Sequence, residues 1–209
     1  MGKYIGESIK RKEDPRLVTG EAKYLEDIQI PGMLRAVVKR SDYAHAKIKN
    51  IDASEAVKMP GVSGVWTGKD FEDINPMPCA WQAGGITNNA NTPRVLEIDK
   101  VTFTGQGVAV VVAEDRNVAE DASSKIIVDY EELPVVVSAE DAIKPGAPQL
   151  HENAQNNICM EWECGNQEGT VQALSQADVV IKEQLINQRL IPNSMEPRGA
   201  IAEYKSATE

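Results

Sequence analysis

An α+β architecture follows from three features of the sequence. The first is a compact strand–helix–strand unit in residues 107–130: an apolar run, Gly107-Val108-Ala109-Val110-Val111-Val112-Ala113, then an amphipathic stretch from Asn117 to Lys125, then Ile126-Ile127-Val128-Asp129-Tyr130. The second is a set of short β-type runs upstream of it, separated by Pro-Gly and Gly-rich punctuation. The third is a change of texture after Glu132-Leu133-Pro134, where Pro145-Gly146-Ala147-Pro148 forms a Pro/Gly linker. Together they predict one α+β domain ahead of a boundary near 134–148 and the start of another behind it.

Taken in order, residues 1–16 form a polar N-terminal arm ending in Lys10-Arg11-Lys12-Glu13-Asp14-Pro15, a charge run expected to be solvated or to dock elsewhere in a larger protein. After the Pro31-Gly32 turn, Met33 to Arg40 is expected to be a strand, as is Ala46 to Asp52 from its alternation. Ser54 to Lys58 is expected to be a short helix, capped by Asp52 or Ser54 and stopped by Pro60-Gly61. Val62 to Thr67 reads as the next strand, and Gly68 to Phe71 as a helical turn. Residues 73–93 hold no period, and an irregular loop of about 20 residues is normally functional or mobile. Beyond the linker, strands are expected at 158–164, within 177–190 and at 199–204, with a short helix from Gly169 to Gln176.

Composition excludes several classes of function. The chain has 209 residues, 42% hydrophobic and 26% charged, an ordinary globular balance rather than a disordered one. A net charge of −10 opposes a surface that tracks nucleic-acid phosphates, which needs clustered Lys and Arg. No apolar run is long enough for a membrane span, and the N-terminus lacks the apolar core of a secretory leader, so a cytoplasmic location is expected. Cys79, Cys159 and Cys164 have no zinc-ribbon spacing, and His45 and His151 lie far apart in sequence, so no metal ligand set is expected.

Candidate motifs weigh toward structure. Gly105-Gln106-Gly107 precedes a strand, whereas a dinucleotide fingerprint follows one, so it reads as a tight turn. Ser41, Asp42 and His45 lie too close in sequence for an oriented Ser–His–Asp relay, and His45 reads as a hydrogen-bonded turn residue. The one functional candidate is Trp81 with Gln82, in the loop 75–93. Trp81 offers a flat surface to stack on a planar substrate or to wall a channel, and Gln82 offers a hydrogen bond to a ring nitrogen or carbonyl. A plug of the loop by Trp81 is the competing expectation.

Six collinear segments carry a resemblance: Lys12 to Asp27 with Ile30 to Leu34, Arg40-Ser41 with Ala44 to Ile48, Pro60-Gly61-Val62, Gly105 to Ala113, Val128 to Pro134, and Met195-Glu196-Pro197-Arg198-Gly199. They are similar to the large, molybdopterin-binding subunit of the molybdenum hydroxylases, the family of xanthine dehydrogenase, aldehyde oxidase and aerobic carbon monoxide dehydrogenase. The resemblance implies an α/β hammerhead domain at 17–134, followed at 135–209 by a linker and the beginning of a molybdopterin-binding α+β domain. It implies oxidative hydroxylation of an aldehyde, an N-heterocycle or a similar substrate, or CO oxidation, with water as the oxygen source. It also implies molybdopterin in its cytosine dinucleotide form, and Fe–S clusters and FAD on a small and a medium partner subunit in an oligomeric assembly. The family's Gln-containing cofactor segment, its Gly-Gly-Gly-Phe-Gly loop and its catalytic Glu have no counterpart here. The chain is thus expected to be a fragment, split-gene product or shortened form that carries no catalytic, cofactor-binding or metal residues and is inactive alone. The alternative is a non-catalytic assembly module that packs against a partner subunit.

Overall fold

A computed structural model describes residues 4–79, 88–89 and 91–205. The chain divides into two compact units, one of Leu34–Asp178 and one combining Met1–Met33 with Val179–Glu209.

The larger unit holds two three-stranded antiparallel sheets. Its strands are β1 (Arg35–Arg40), β2 (Ala46–Asp52), β3 (Val62–Thr67), β4 (Lys100–Val101), β5 (Gly107–Ala113) and β6 (Ile127–Glu132). The sheet orders are β1-β5-β3 and β4-β2-β6. The strand–helix–strand unit appears as expected, but its two strands fall in different sheets, so the helix between them is a connection across the two sheets.

That helix (Arg116–Lys125) starts where Asp115 accepts a hydrogen bond from the Val118 N–H at 2.9 Å, satisfying one of the free donors of its first turn. Its inner face carries Ala119, Ala122 and Ser123, at the helical spacing that points all three inward. Ala119 and Ala122 pack with Ala109, Val111 and Ala113 of β5 and with Ala56 and Ile126, forming one core cluster. Ala56 belongs to a one-turn helix, Ser54–Val57, whose first N–H bonds to the Asp52 carboxylate at 2.9 Å. A second cluster joins Ala46, Val101 and Val108, with Ile48, Ile51, Val128 and Tyr130 packed against it.

Three β-bulges reconcile imperfect alternation with a single buried face. In β2, Ile48 faces Tyr130 and Asn50 faces Asp129, leaving Lys49 as the extra residue. Strict alternation would turn Ile51 away from Ile48; the bulge returns it to the core side. The same bulge lets Lys47 and Lys49 both reach Glu131, at 3.5 and 3.2 Å. The hydrogen bond from Lys49, then the charges of both lysines, hold the Glu131 carboxyl below its ordinary range. In β3, Ser63 is the extra residue, so Val62 and Val65 both pack on the first cluster. In β5 the extra residue is Val108, opposite the Lys39–Arg40 step of β1.

The strands expected at 158–164, 177–190 and 199–204 do not form; among the described residues these segments pair with no ladder partner. Alternation of residue types specifies which face would be buried, whereas a strand exists only beside a neighbour that takes its N–H and C=O groups. Val179, Ile181, Leu185 and Ile186 are correspondingly exposed. The expected helix near 169–176 does form, at Gln167–Ser175, capped by Asn166 on the Gly169 N–H at 2.9 Å.

In the smaller unit, two of the segments that carry the resemblance meet. The Glu196 carboxylate accepts the Leu25 N–H at 2.8 Å. The Leu25 side chain occupies the space where a side chain on Gly199 would lie. A short helix, Asp14–Val18, opens with proline in its first turn and lies inside the segment expected to be a plain arm and its border.

Gly68 carries the tightest constraint in the larger unit. A β-carbon there would sit 2.5 Å from the Glu97 carbonyl oxygen, a backbone atom that cannot swing aside. Gly68→Ala is therefore expected to destabilise the unit by about 1–3 kcal/mol, read as a lowered thermal midpoint. Deleting Lys49 removes the extra residue and leaves Ile48 and Ile51 two positions apart on one face, so the ladder with β6 is expected to become regular with only the exposed Lys49–Glu131 pair lost, read as a small change in denaturant unfolding.

Candidate functional site

Trp81 and Gln82 lie outside the described residues. What is described is the base of their loop and its support. The Met77 N–H donates to the Pro93 carbonyl at 3.0 Å, closing the loop at its root. On the far side, the Asn89 N–H donates to the Cys159 carbonyl at 2.7 Å, and the Asn153 side-chain amide to the Asn91 side-chain oxygen at 3.3 Å. Asn89 and Asn91 are thus stitched to Cys159 and Asn153, far along the chain.

Beside this root lies a buried polar network centred on Gln106, which is 7% exposed. Its side-chain oxygen Oε1 accepts the Thr102 N–H at 2.7 Å, and its side-chain nitrogen Nε2 donates to the Glu97 carboxylate at 2.6 Å. The same Glu97 oxygen accepts the Arg94 N–H at 3.1 Å. The backbone around Gln106 is shared with the end of β1: Ser41 N–H donates to the Gln106 carbonyl at 2.9 Å and Gly105 N–H to the Ser41 carbonyl at 2.8 Å. Gly105 has a φ of 93°, the left-handed region that makes this a glycine position. The Gly105-Gln106-Gly107 segment is therefore a tight turn into β5, as expected, and its middle residue is a structural keystone that sequence patterns do not reveal.

The Ser41–His45 segment also resolves into structure. The Ser41 hydroxyl exchanges hydrogen bonds with the Tyr43 backbone, at 3.1 and 3.0 Å. His45, 5% exposed, places Nδ1 2.7 Å from the Pro134 carbonyl. A carbonyl only accepts, so Nδ1 carries the hydrogen of this bond. No relay forms: Ser41 is engaged with backbone, and His45 Nδ1 meets a carbonyl where a triad would place a carboxylate. The Tyr43 and Tyr130 rings pack with centroids 4.9 Å apart. Burial raises the Tyr130 phenol above its ordinary pKa, with Asp42 acting in the same direction and the Ser41 hydroxyl against it.

His151 joins this region. Burial first, then the charges of Lys100 and His45, lower its pKa, while Glu97 acts the other way. The two histidines, 106 positions apart in sequence, are therefore within electrostatic reach. The folding of residues 148–157 back onto β4 brings them together.

Comparison with known proteins places these features. Residues 19–134 match the family model "Aldehyde oxidase and xanthine dehydrogenase, a/b hammerhead domain", and residues 150–209 match "Molybdopterin cofactor-binding domain". The chain is 38% identical over 210 residues to the carbon monoxide dehydrogenase large chain of Afipia carboxidovorans, covering 95% of this chain and 25% of that one. It is 37% identical over 205 residues to the nicotine 6-hydroxylase large subunit of Paenarthrobacter nicotinovorans, covering 96% and 24%. Among solved structures it resembles the Cu,Mo-CO dehydrogenase in its carbon monoxide reduced state, with a TM-score of 0.67 and 38% identity over 83% of this chain and 23% of that one. The quinoline 2-oxidoreductase of Pseudomonas putida 86 gives a TM-score of 0.61 and 40% identity, over 68% and 18%. The chain belongs to the aldehyde oxidase and xanthine dehydrogenase family, and comprises its hammerhead domain and the start of a molybdopterin cofactor-binding domain. It spans about a quarter of the length of these curated relatives.

Among the described residues, no three His, Cys, Asp or Glu side chains are grouped to hold a metal ion. Between residues 161 and 205 every side-chain-bearing residue is exposed, so this stretch encloses nothing. No described helix is long and apolar enough to cross a membrane.

Gln106→Ala is expected to cost about 1–3 kcal/mol, because it leaves the Thr102 N–H and the Glu97 carboxylate without their partner. Gln106→Glu places a second carboxylate against Glu97. Burial and like charge raise the folded-state pKa of the pair above its unfolded value. The loss in stability is therefore expected to be largest at neutral pH and to shrink as pH falls through that raised value, in denaturation measured across pH.

Proposed function

We propose that the chain is the N-terminal part of a molybdenum hydroxylase large subunit. Such an enzyme hydroxylates an aldehyde, an N-heterocycle or a similar substrate, or oxidises CO, with water as the oxygen source. The observation that carries this proposal is collinearity: a hammerhead match at 19–134 followed in order by a cofactor-domain match at 150–209. Sequence identity of 38% across 95% of the chain supports it. The relatives' names include carbon monoxide and nicotine enzymes, so the substrate class is left at that breadth.

The proposed organisation is an arm at 1–16, the hammerhead at 17–134, and the linker with the start of the cofactor domain at 135–209. In the assembled enzyme the cofactor is molybdopterin, in its cytosine dinucleotide form. The remainder of the large subunit, an iron–sulfur small subunit and an FAD medium subunit are the partners, in the cytoplasm. The chain's own contribution is mechanical. It holds the loop 75–93 by its root and joins that loop to the first residues of the cofactor-domain match through Asn89, Asn91, Asn153 and Cys159. Trp81 and Gln82 are proposed to line the substrate channel from this loop.

Two measurements test the proposal. Elemental analysis of the purified 209-residue chain is expected to find no stoichiometric molybdenum, and the chain is expected to be inactive; molybdenum bound at one per chain would contradict this. In the complex containing a full-length large subunit, Trp81→Ala is expected to raise KM roughly two- to tenfold, the loss of one aromatic contact. Unchanged kinetics across several substrates with a lowered melting temperature would make Trp81 a plug. Failure of the full-length complex to turn over any such substrate would favour the assembly-module alternative.

A further inference from the structure

The segment between the two family matches, residues 135–149, is fastened at both ends to one corner of the β4-β2-β6 sheet. At its start the Leu133 N–H donates to the His45 carbonyl at 3.0 Å, and His45 Nδ1 donates to the Pro134 carbonyl at 2.7 Å. At its end Lys100 of β4 donates to the Leu150 carbonyl at 2.9 Å. Asn157 ties the interior together. Its amide nitrogen donates to the Ala142 and Pro148 carbonyls at 2.8 and 2.9 Å, and its side-chain oxygen accepts the Leu150 N–H at 2.9 Å. Asn157 holds a φ of 58°, a conformation asparagine tolerates better than most residues.

Both histidines of the chain belong to this fastening. Each has a buried ring nitrogen with no hydrogen-bond partner among the described residues, Nε2 of His45 and Nδ1 of His151. The charged and titratable groups that face His151 are Lys100 from β4, Glu97 from the segment before β4, and His45 from the segment before β2. Lys100 also lies 3.9 Å from Glu152, whose side chain is 88% exposed and therefore screens weakly. Glu97 already accepts hydrogen bonds from Gln106 and Arg94. A proton taken up by His151 thus puts a second positive charge beside Lys100, in a half-buried place where Glu97 is committed to other donors.

We propose that His45 and His151 make this fastening a proton-operated latch: the connector is held down while the His151 ring is neutral and is released when that ring takes up a proton. Thermodynamic linkage fixes the direction. In the closed form His151 is held below its ordinary pKa, by burial first and then by Lys100 and His45. In the open form it returns to the ordinary histidine value. The open form therefore binds the proton more tightly, and opening is favoured as pH falls below that ordinary value. The consequence is local, because β5 and the helix packed on it contain no histidine. A latch here sets how firmly the chain leaving the hammerhead is directed into the next domain.

Hydrogen exchange of the intact 209-residue chain, expressed as protection factors at about pH 7.5 and about pH 5.5, tests this. Amides of 142–157 are expected to lose protection on the order of tenfold at the lower pH, while those of 107–113 and 116–125 keep theirs. In His151→Gln the protection of 142–157 is expected not to change with pH. Protection that is constant with pH in the unaltered chain, or that falls equally in His151→Gln, overturns the proposal. Should His151→Gln lose protection in 107–113 as well, the ring titration of His151 by NMR in the unaltered chain decides. A value below ordinary histidine supports the latch, and one at or above it overturns it.

Discussion

One strand has to satisfy two cores, and the larger unit is organised around that demand. In β5, Ala109, Val111 and Ala113 point to the face covered by the helix at 116–125. Val108, the extra residue of the bulge, is instead delivered to the cluster of Ala46 and Val101. Ile51 and Val128 pack against both clusters, so the two sheets share apolar contacts around this strand. A close-packed interior transmits such constraints because it holds few voids to absorb a shift. The alanine-rich contact between strand and helix follows from the same geometry: small side chains on both faces leave room for a close approach.

The functional parts depend on this frame at its edge. Gln106 sits immediately before β5, and its hydrogen bonds to Glu97 and Thr102 fix the turn from which the strand departs. The segment 94–97 held by this network leads back to the root of the loop 75–93 at Pro93. On the same side, β4 presents Lys100 to the connector, and the segment before β2 presents His45. The loop root, the Gln106 network and the connector are therefore linked features of one corner, and none of them contains a complete catalytic constellation among the described residues.

Legibility in the sequence followed the range of the interactions. The helix at 116–125 was readable because its inward residues recur within a few positions of one another. Strands β1, β2, β3, β5 and β6 were readable from runs of β-type residues. The bulges were not, since Lys49 and Ser63 are defined only by the register of a partner strand. The two-residue β4 has no period to detect. The segments at 158–164, 177–190 and 199–204 show the converse failure, because alternation cannot report whether a neighbouring strand exists. At the site, Gly105-Gln106-Gly107 was legible as a turn from its glycines, whereas the buried role of Gln106 rests on Glu97 and Thr102, which no pattern links to it. His45 and His151 looked unrelated because only folding of the connector brings them near each other.

The account rests most directly on β5 joining the two clusters into one cooperative unit. Native-state hydrogen exchange on Val108→Ala tests it, since the shortened side chain touches only the second cluster. Amides of β1 and β3 in one sheet and of β2 and β6 in the other are predicted to lose equal protection, corresponding to about 1–3 kcal/mol. Loss confined to β2 and β6, with β1 and β3 unchanged, would show that the sheets open independently and would contradict the account.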